Sequence, residues 1–223
     1  MKGDTPYVFR GGQTDGKRVL KSKRDYAIIK SITIPPGYGV VPSGQIMGII
    51  TESTSRKGMY VPRCPRTPAA GQLDVAGAAY ITAAPSTYYH YVTMEDSYKF
   101  AIGDHVAIAD SGTTGEDLGA ITAIDRTTYT HIAMITVTNS ISGSFAVSRG
   151  AWLFIQSKTT AGYDQSQGVL LGAVDTGSGE NAQGGDGALV VKNAEFYESG
   201  LVNYDSDVAT DLSSSDLGDT IAI

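Results

Sequence analysis

The chain has 223 residues, 41% hydrophobic and only 18% charged, with 27 glycines, 13 tyrosines and one cysteine. This suffices for one large or two small cored domains; it excludes an intrachain disulfide and leaves few segments suited to long helices. The net charge of −6 is uneven: residues 1–25 carry seven cations against three carboxylates, or +4, which leaves −10 on the rest.

Residues 1–25, with Gly3, Gly11, Gly12 and Gly16, read as an extended basic arm. Its cations are Lys2, Arg10, Lys17, Arg18, Lys21, Lys23 and Arg24, a set suited to an acidic protein surface. Nucleic acid is disfavoured, because the acidic body repels phosphates. The arm lacks the apolar stretch of a signal peptide, and no run approaches a membrane span. The expectation is a soluble protein made in the cytoplasm.

Residues 26–34, YAIIKSITI, predict a first strand ended by Pro35-Pro36-Gly37. Ile46–Ile50 and Met59–Val61 predict a hairpin around a polar turn from Ser53 to Gly58. Three prolines in residues 62–72 predict a linker containing the lone Cys64, which has no apparent activating partner. Residues 73–158 then carry short strands at 78–82 and 88–94 and near 144–147 and 151–155; between them run the stretch 99–110, a turn at 111–115 and the stretch 116–138. Ile135 and Val137 alternate with Thr136 and Thr138, the mark of a half-buried strand. Many short strands with glycine at the turns predict a small SH3-like or OB-like barrel. Tyr88, Tyr89 and Tyr91 flank His90 in one of them, as strand packing or as interface aromatics.

GVLLGAV, residues 168–174, is apolar on both alternating faces and predicts a strand covered on both sides. A glycine-rich loop runs from 176 to 187, and residues 188–202 give further strand material. The acidic end predicts one short helix capped by Ser206 or Asp207, then a last strand at 220–223.

Asp175-Thr176-Gly177 matches the catalytic loop of aspartic proteases, and Asp110-Ser111-Gly112 supplies a second copy. Such an enzyme needs two carboxylates sharing one proton across similar lobes. Leu118-Gly119 follows Asp110 too closely to close a lobe, so only a homodimer using Asp175 fits. The plainer reading is that both are turns after strands, where Asp caps the turn and Gly takes positive φ. His90, His105 and His131 lack metal spacing, and no Gly-x-Ser-x-Gly elbow marks a nucleophile. Asp175, Glu180, Asn181 and Asp186 offer oxygen ligands for calcium without the EF-hand spacing, and a hairpin loop explains them better. No catalytic residue, metal or cofactor is expected.

The two ends of the chain carry a resemblance. Gly44, Met47-Gly48-Ile49-Ile50-Thr51 and Gly58-Met59-Tyr60-Val61-Pro62, followed much later by Gly168–Asp175 and Gly200-Leu201-Val202-Asn203, resemble in order the phage head decoration (capsid cement) family. The resemblance covers about residues 26–70 and 160–223; residues 73–158 stand where that family has a short connection. It implies a non-catalytic virion protein on the outer capsid surface that stabilises the expanded shell. The implied partners are the major capsid protein, through the arm, and further copies of itself as a homotrimer, with neither nucleic acid nor membrane. A tail or fibre module is the nearest alternative. The expected architecture is all-β with at most one short helix. It comprises an arm (1–25), a discontinuous β core (26–72 plus 159–223) and an inserted small barrel (73–158).

Overall fold

The structure, a computed structural model, describes residues 20–22, 27–51, 55–63, 77–156, 166–177, 182–192, 194–204 and 206–214. The fold is all-β, with one short α-helix, α1 (Ser206–Ser214), among the described residues. The linker with Cys64, Lys158, residues 178–181 and the expected strand at 220–223 lie outside them. The expected helix begins at Ser206, one of the two residues read as its cap.

A five-stranded antiparallel sheet joins the two ends of the chain. Its order is β2 (Ile28–Ile34), β14 (Gly185–Lys192), β12 (Ser166–Leu170), β4 (Ile46–Ile49) and β5 (Tyr60–Pro62). Prolines and Gly37 in positive φ end β2, and β4 and β5 form the expected hairpin, with Met47 opposite Pro62. The central strand β12 explains the unbroken apolar run. Val169 packs with Ile46, Val190, Phe196, Val208 and Leu212 on the helix side, whereas Leu170 joins the large cluster on the other. Each such fully buried aliphatic side chain contributes about 1.5–3 kcal/mol. The strand is shorter than the sequence pattern suggests. It stops at Leu170, the Leu171 carbonyl accepts from Ser43 Oγ at 2.7 Å, and β13 (Val174–Asp175) leaves to pair with β3 (Val40–Val41).

Between β5 and β12 the chain builds a separate six-stranded sheet. Its order is β6 (Ala78–Tyr80), β11 (Trp152–Ile155), β8 (His105–Asp110), β9 (Thr113–Asp125), β10 (Ile132–Val137) and β7 (Tyr89–Thr93). It curls until its outer strands meet at a single bridge, Ile81 to Val92, beside a 2.8 Å bond from the Thr82 N–H to the Tyr91 carbonyl. As the alternation predicts, Ile135 and Val137 of β10 are buried, and Ala133 is buried with them.

Two local expectations are corrected. The turn expected over 111–115 is only Ser111-Gly112, since β9 begins at Thr113. Residues 144–147 are not a strand: Val147–Arg149 forms a 3-10 turn. Side chains satisfy this backbone in place of a ladder. Glu116 accepts from the N–H groups of Ser142 and Gly143 at 2.6 and 2.8 Å, and Asp110 Oδ2 accepts from the Ala146 N–H at 3.3 Å.

The sheets share one continuous apolar cluster, running from Ile32 and Met47 through Phe100 to Leu153. A buried polar knot sits where they meet. Asp104, fully buried, accepts from the Ala101 N–H at 2.8 Å, the Tyr38 hydroxyl at 2.6 Å and the Arg56 guanidinium at 2.8 Å. Arg56 also donates to the Ile102 carbonyl at 2.8 Å and to the Tyr38 hydroxyl. The turn of the β4–β5 hairpin is thereby tied to the loop entering β8.

Candidate functional site

The segments that carry the family resemblance converge at one end of the five-stranded sheet. Gly44 donates its N–H to the Leu170 carbonyl at 2.8 Å and accepts from the Val202 N–H at 2.9 Å. Gln45 bridges Val202 in parallel, and Asn203 Nδ2 donates to the Arg63 carbonyl at 2.8 Å, one residue beyond the Tyr-Val-Pro step. Asn203 adopts φ 64, the left-handed region that Asn tolerates better than most residues.

Around this junction lies a buried polar network that the sequence did not reveal. Gln45 Nε2 donates to the carbonyls of Ile46 and Arg63 at 2.9 and 3.1 Å. Buried Arg63 lies 3.8 Å from Asp211 of α1, whose Oδ2 accepts from both the N–H and the hydroxyl of Ser166 at 2.8 and 3.0 Å. Only the placement of Gln and Arg within apolar segments hinted at it.

The two protease-like loops are both Asx turns, as the plainer reading expects. Asp110 Oδ1 accepts from the Gly112 N–H at 2.8 Å, and Asp175 Oδ1 from the Gly177 N–H at 2.9 Å. Gly177 takes the expected positive φ, 68, which glycine adopts without strain, whereas Gly112 does not: its turn closes without a left-handed residue there. Asp110 is further held by Arg149 Nε at 2.6 Å. The two loops belong to different sheets. The middle residue Thr176 is fully buried and clamps the 38–39 loop: its Oγ1 accepts from the Tyr38 N–H at 3.0 Å and donates to the Gly39 carbonyl at 2.8 Å.

Asp175→Asn keeps the acceptor of its turn, so its stability should stay within about 0.5 kcal/mol of the parent in a urea melt. Neither protein is expected to cleave denatured casein. Cleavage by the parent that disappears in the variant would restore the protease reading.

Of the calcium candidates, Asp186 accepts from Thr33 Oγ1 at 2.8 Å and Asp175 closes its turn, while Glu180 and Asn181 lie outside the described residues. Among the described residues no three His, Cys, Asp or Glu side chains gather as a metal set, and no helix is long and apolar enough to cross a membrane.

The arm is partly resolved into structure. Leu20–Ser22 forms β1, paired antiparallel with β15 (Glu195–Phe196) of the same chain, so this part is not a free extension. Sequence reading missed the pairing because a three-residue strand carries almost no periodic signal. Of the arm cations only Lys21 belongs to β1; Lys2, Arg10, Lys17, Arg18, Lys23 and Arg24 lie outside the described residues.

Tyr88 and Tyr89 are exposed at 44% and 43%, and Tyr91 is half-buried, its ring edge-on to Tyr129 with centroids 6.1 Å apart. Tyr89 and Tyr91 lie on the outer face of β7, and Tyr88 is exposed just before the strand. Residues 73–158 hold four cations, Lys99, Arg126, Arg149 and Lys158; the three that are described are engaged within the chain. Lys99 pairs with Asp96 at 2.7 Å, Arg149 with Asp110, and Arg126 donates to the Ser97 carbonyl at 2.8 Å and lies over the Tyr98 ring. His90, the fourth member of the aromatic run, points the other way and is fully buried.

No family model matches the chain, and no curated protein or solved structure matches it.

Proposed function

We propose that the chain is a non-catalytic virion protein that binds the outside of a phage capsid and stabilises the expanded shell. The observation behind this reading is the convergence of the resembling segments. Gly44, the Tyr-Val-Pro strand, the Gly168 strand and Val202-Asn203 lie side by side although more than a hundred residues separate the two sets in sequence. A decoration-type domain interrupted by residues 73–158 requires that arrangement.

In this reading residues 1–19 reach the major capsid protein, and the β1–β15 pair fixes the point from which they leave. A segment of 19 residues spans at most about 65 Å when extended. Its cations would add attraction to an acidic shell, and its backbone could add a strand to a capsid sheet. Many copies, arranged as trimers, then sum modest binding energies into resistance against rupture. The outward Tyr89 and Tyr91 of the curled sheet, with exposed Tyr88 beside them, would suit a protein contact.

Deletion of residues 1–19 leaves β1 in place. In co-sedimentation with expanded capsids of the encoding phage, it should lower affinity at least tenfold without moving the thermal midpoint. Undiminished binding would remove the arm from the mechanism. Absence of binding by the full chain, or density on the tail in a virion reconstruction, would remove the capsid reading.

A further inference from the structure

The interior of the curled sheet is largely aliphatic. Following the register from strand to strand, the inward residues are Ala79 and Ile81 of the β6 edge, Leu153 and Ile155 of β11, and Val106 and Ile108 of β8. Beyond them come Ile121 and Ile124 of β9, Ala133, Ile135 and Val137 of β10, and His90 and Val92 of β7. His90 sits opposite Ile135, fully buried, and neither Nδ1 nor Nε2 has a hydrogen-bond partner. The buried carboxylates of β8 and of the loop entering it are engaged elsewhere. Asp110, in phase with Ile108 at the end of β8, holds Arg149, and Asp104 holds Tyr38, Arg56 and Ala101. On β9 the register sets Glu116 opposite Ile108, where it accepts from the Ser142 and Gly143 N–H groups. The 3-10 turn Asp96–Lys99, packed against β6 and β7, pairs its own Asp96 and Lys99. The inward positions of β7, β10 and the β6 edge carry no charge besides His90 itself.

An unpaired imidazole in such a place lowers the stability of the closed state and gains water on opening. It also lies next to the weakest seam. β7 is paired to β10 over five residues but meets β6 at one bridge, Ile81–Val92, two residues along the chain from His90.

We propose that His90 is an acid-sensitive latch: protonation of its imidazole opens the β6–β7 seam while the five-stranded sheet stays folded. The direction follows from burial, which holds the His90 pKa down at about 4, against an ordinary 6.5. An open seam restores the ordinary value, so the open form binds the proton more tightly. Closure is fully favoured above about pH 6.5. It weakens up to about tenfold per pH unit as pH falls toward 4, and levels off below that.

The test uses the full chain and two readouts between pH 7 and 4. One is hydrogen exchange, corrected for intrinsic rates; the other is emission from Trp152, the chain's single tryptophan, which is buried opposite Tyr80 of β6. Amides of β6 and β7 should lose protection, and the emission should shift red, while β12 and β14 stay protected. His90→Leu should stay closed to pH 4, and His90→Gln, which is polar but does not titrate, should show no pH step even if leakier throughout. If either variant folds and keeps the parent's pH step, or if the parent shows none, the latch is wrong. Simultaneous loss of protection in β12 and β14 would also overturn it, since that is global acid unfolding.

Discussion

Gly168→Ala should destabilise the protein by about 3 kcal/mol or more, lowering the thermal midpoint by roughly 6–12 °C. The cause is backbone against backbone. A Cβ at Gly168 would fall well inside contact distance of the Val190 carbonyl oxygen, 3.1 Å from its carbonyl carbon and 3.0 Å from Leu189 Cγ. Val190 belongs to β14, the neighbouring strand, so no rotamer relieves the clash; β12 must leave its register between β14 and β4. The residue also sits at an irregularity in the β12–β4 pairing, between Ser166 and Gly168, with a backbone angle of φ 157 that side chains rarely adopt. A protein of this size has about 5–15 kcal/mol in total, so the loss is a large share. Gly172→Ala, four residues on, is the control: a Cβ there meets nothing within 4 Å, and its effect should stay within about 0.5 kcal/mol. Equal midpoints for the two variants would refute the close-approach explanation.

Asp104→Ala should cost about 3–5 kcal/mol, the range for removing one partner of a buried ion pair. Arg56, whose side chain is only 16% exposed, would lose its carboxylate, and the Ala101 N–H and Tyr38 hydroxyl would lose their acceptor together. Asp104→Asn keeps an acceptor but not the charge, so a smaller loss of about 1.5–3 kcal/mol is expected. Tyr38→Phe removes one donor to the same carboxylate. In a double-mutant cycle with Asp104→Asn it should show a coupling of at least about 0.5 kcal/mol. Because the knot ties the hairpin of one sheet to the loop entering the other, the Ala variant should also broaden or split the urea transition. A single sharp transition with unchanged midpoint would mean that the shared apolar cluster alone couples the sheets.

What could be read from the sequence follows from how local its cause is. The alternation in residues 135–138 and the Pro-Pro-Gly stop after β2 act within a few residues, and both appear in the fold, although the strand ends at Val137. So do the two Asp-capped turns, whose bonds span two residues. The doubly apolar Val169-Leu170 step correctly implied cover on both faces, but not that a helix supplies one of them. The polar links were not legible: Arg63 to Asp211, Tyr38 to Asp104 and Glu116 to Ser142 join residues far apart in the chain, and no spacing rule pairs them. Residues 144–147 looked strand-like in composition, yet carboxylates from two other strands hold their region instead of a ladder. His90 looked like one more member of a tyrosine-rich strand; its isolation in an aliphatic interior required the register of all six strands.

The first and last strands of the curled sheet, β6 and β11, are direct neighbours, and the Ile155 N–H meets the Gly77 carbonyl at 2.6 Å where the chain enters and leaves. In mechanical terms the sheet hangs from both ends of one antiparallel pair, loaded at its base. A pull transmitted through residues 77 and 155 unzips Ile155–Gly77 first and the next bonds in turn, without shearing the ladder as a whole. If the five-stranded sheet bears the strain of a shell, the inserted sheet is attached where it can peel open without first breaking the register of β12 between β4 and β14.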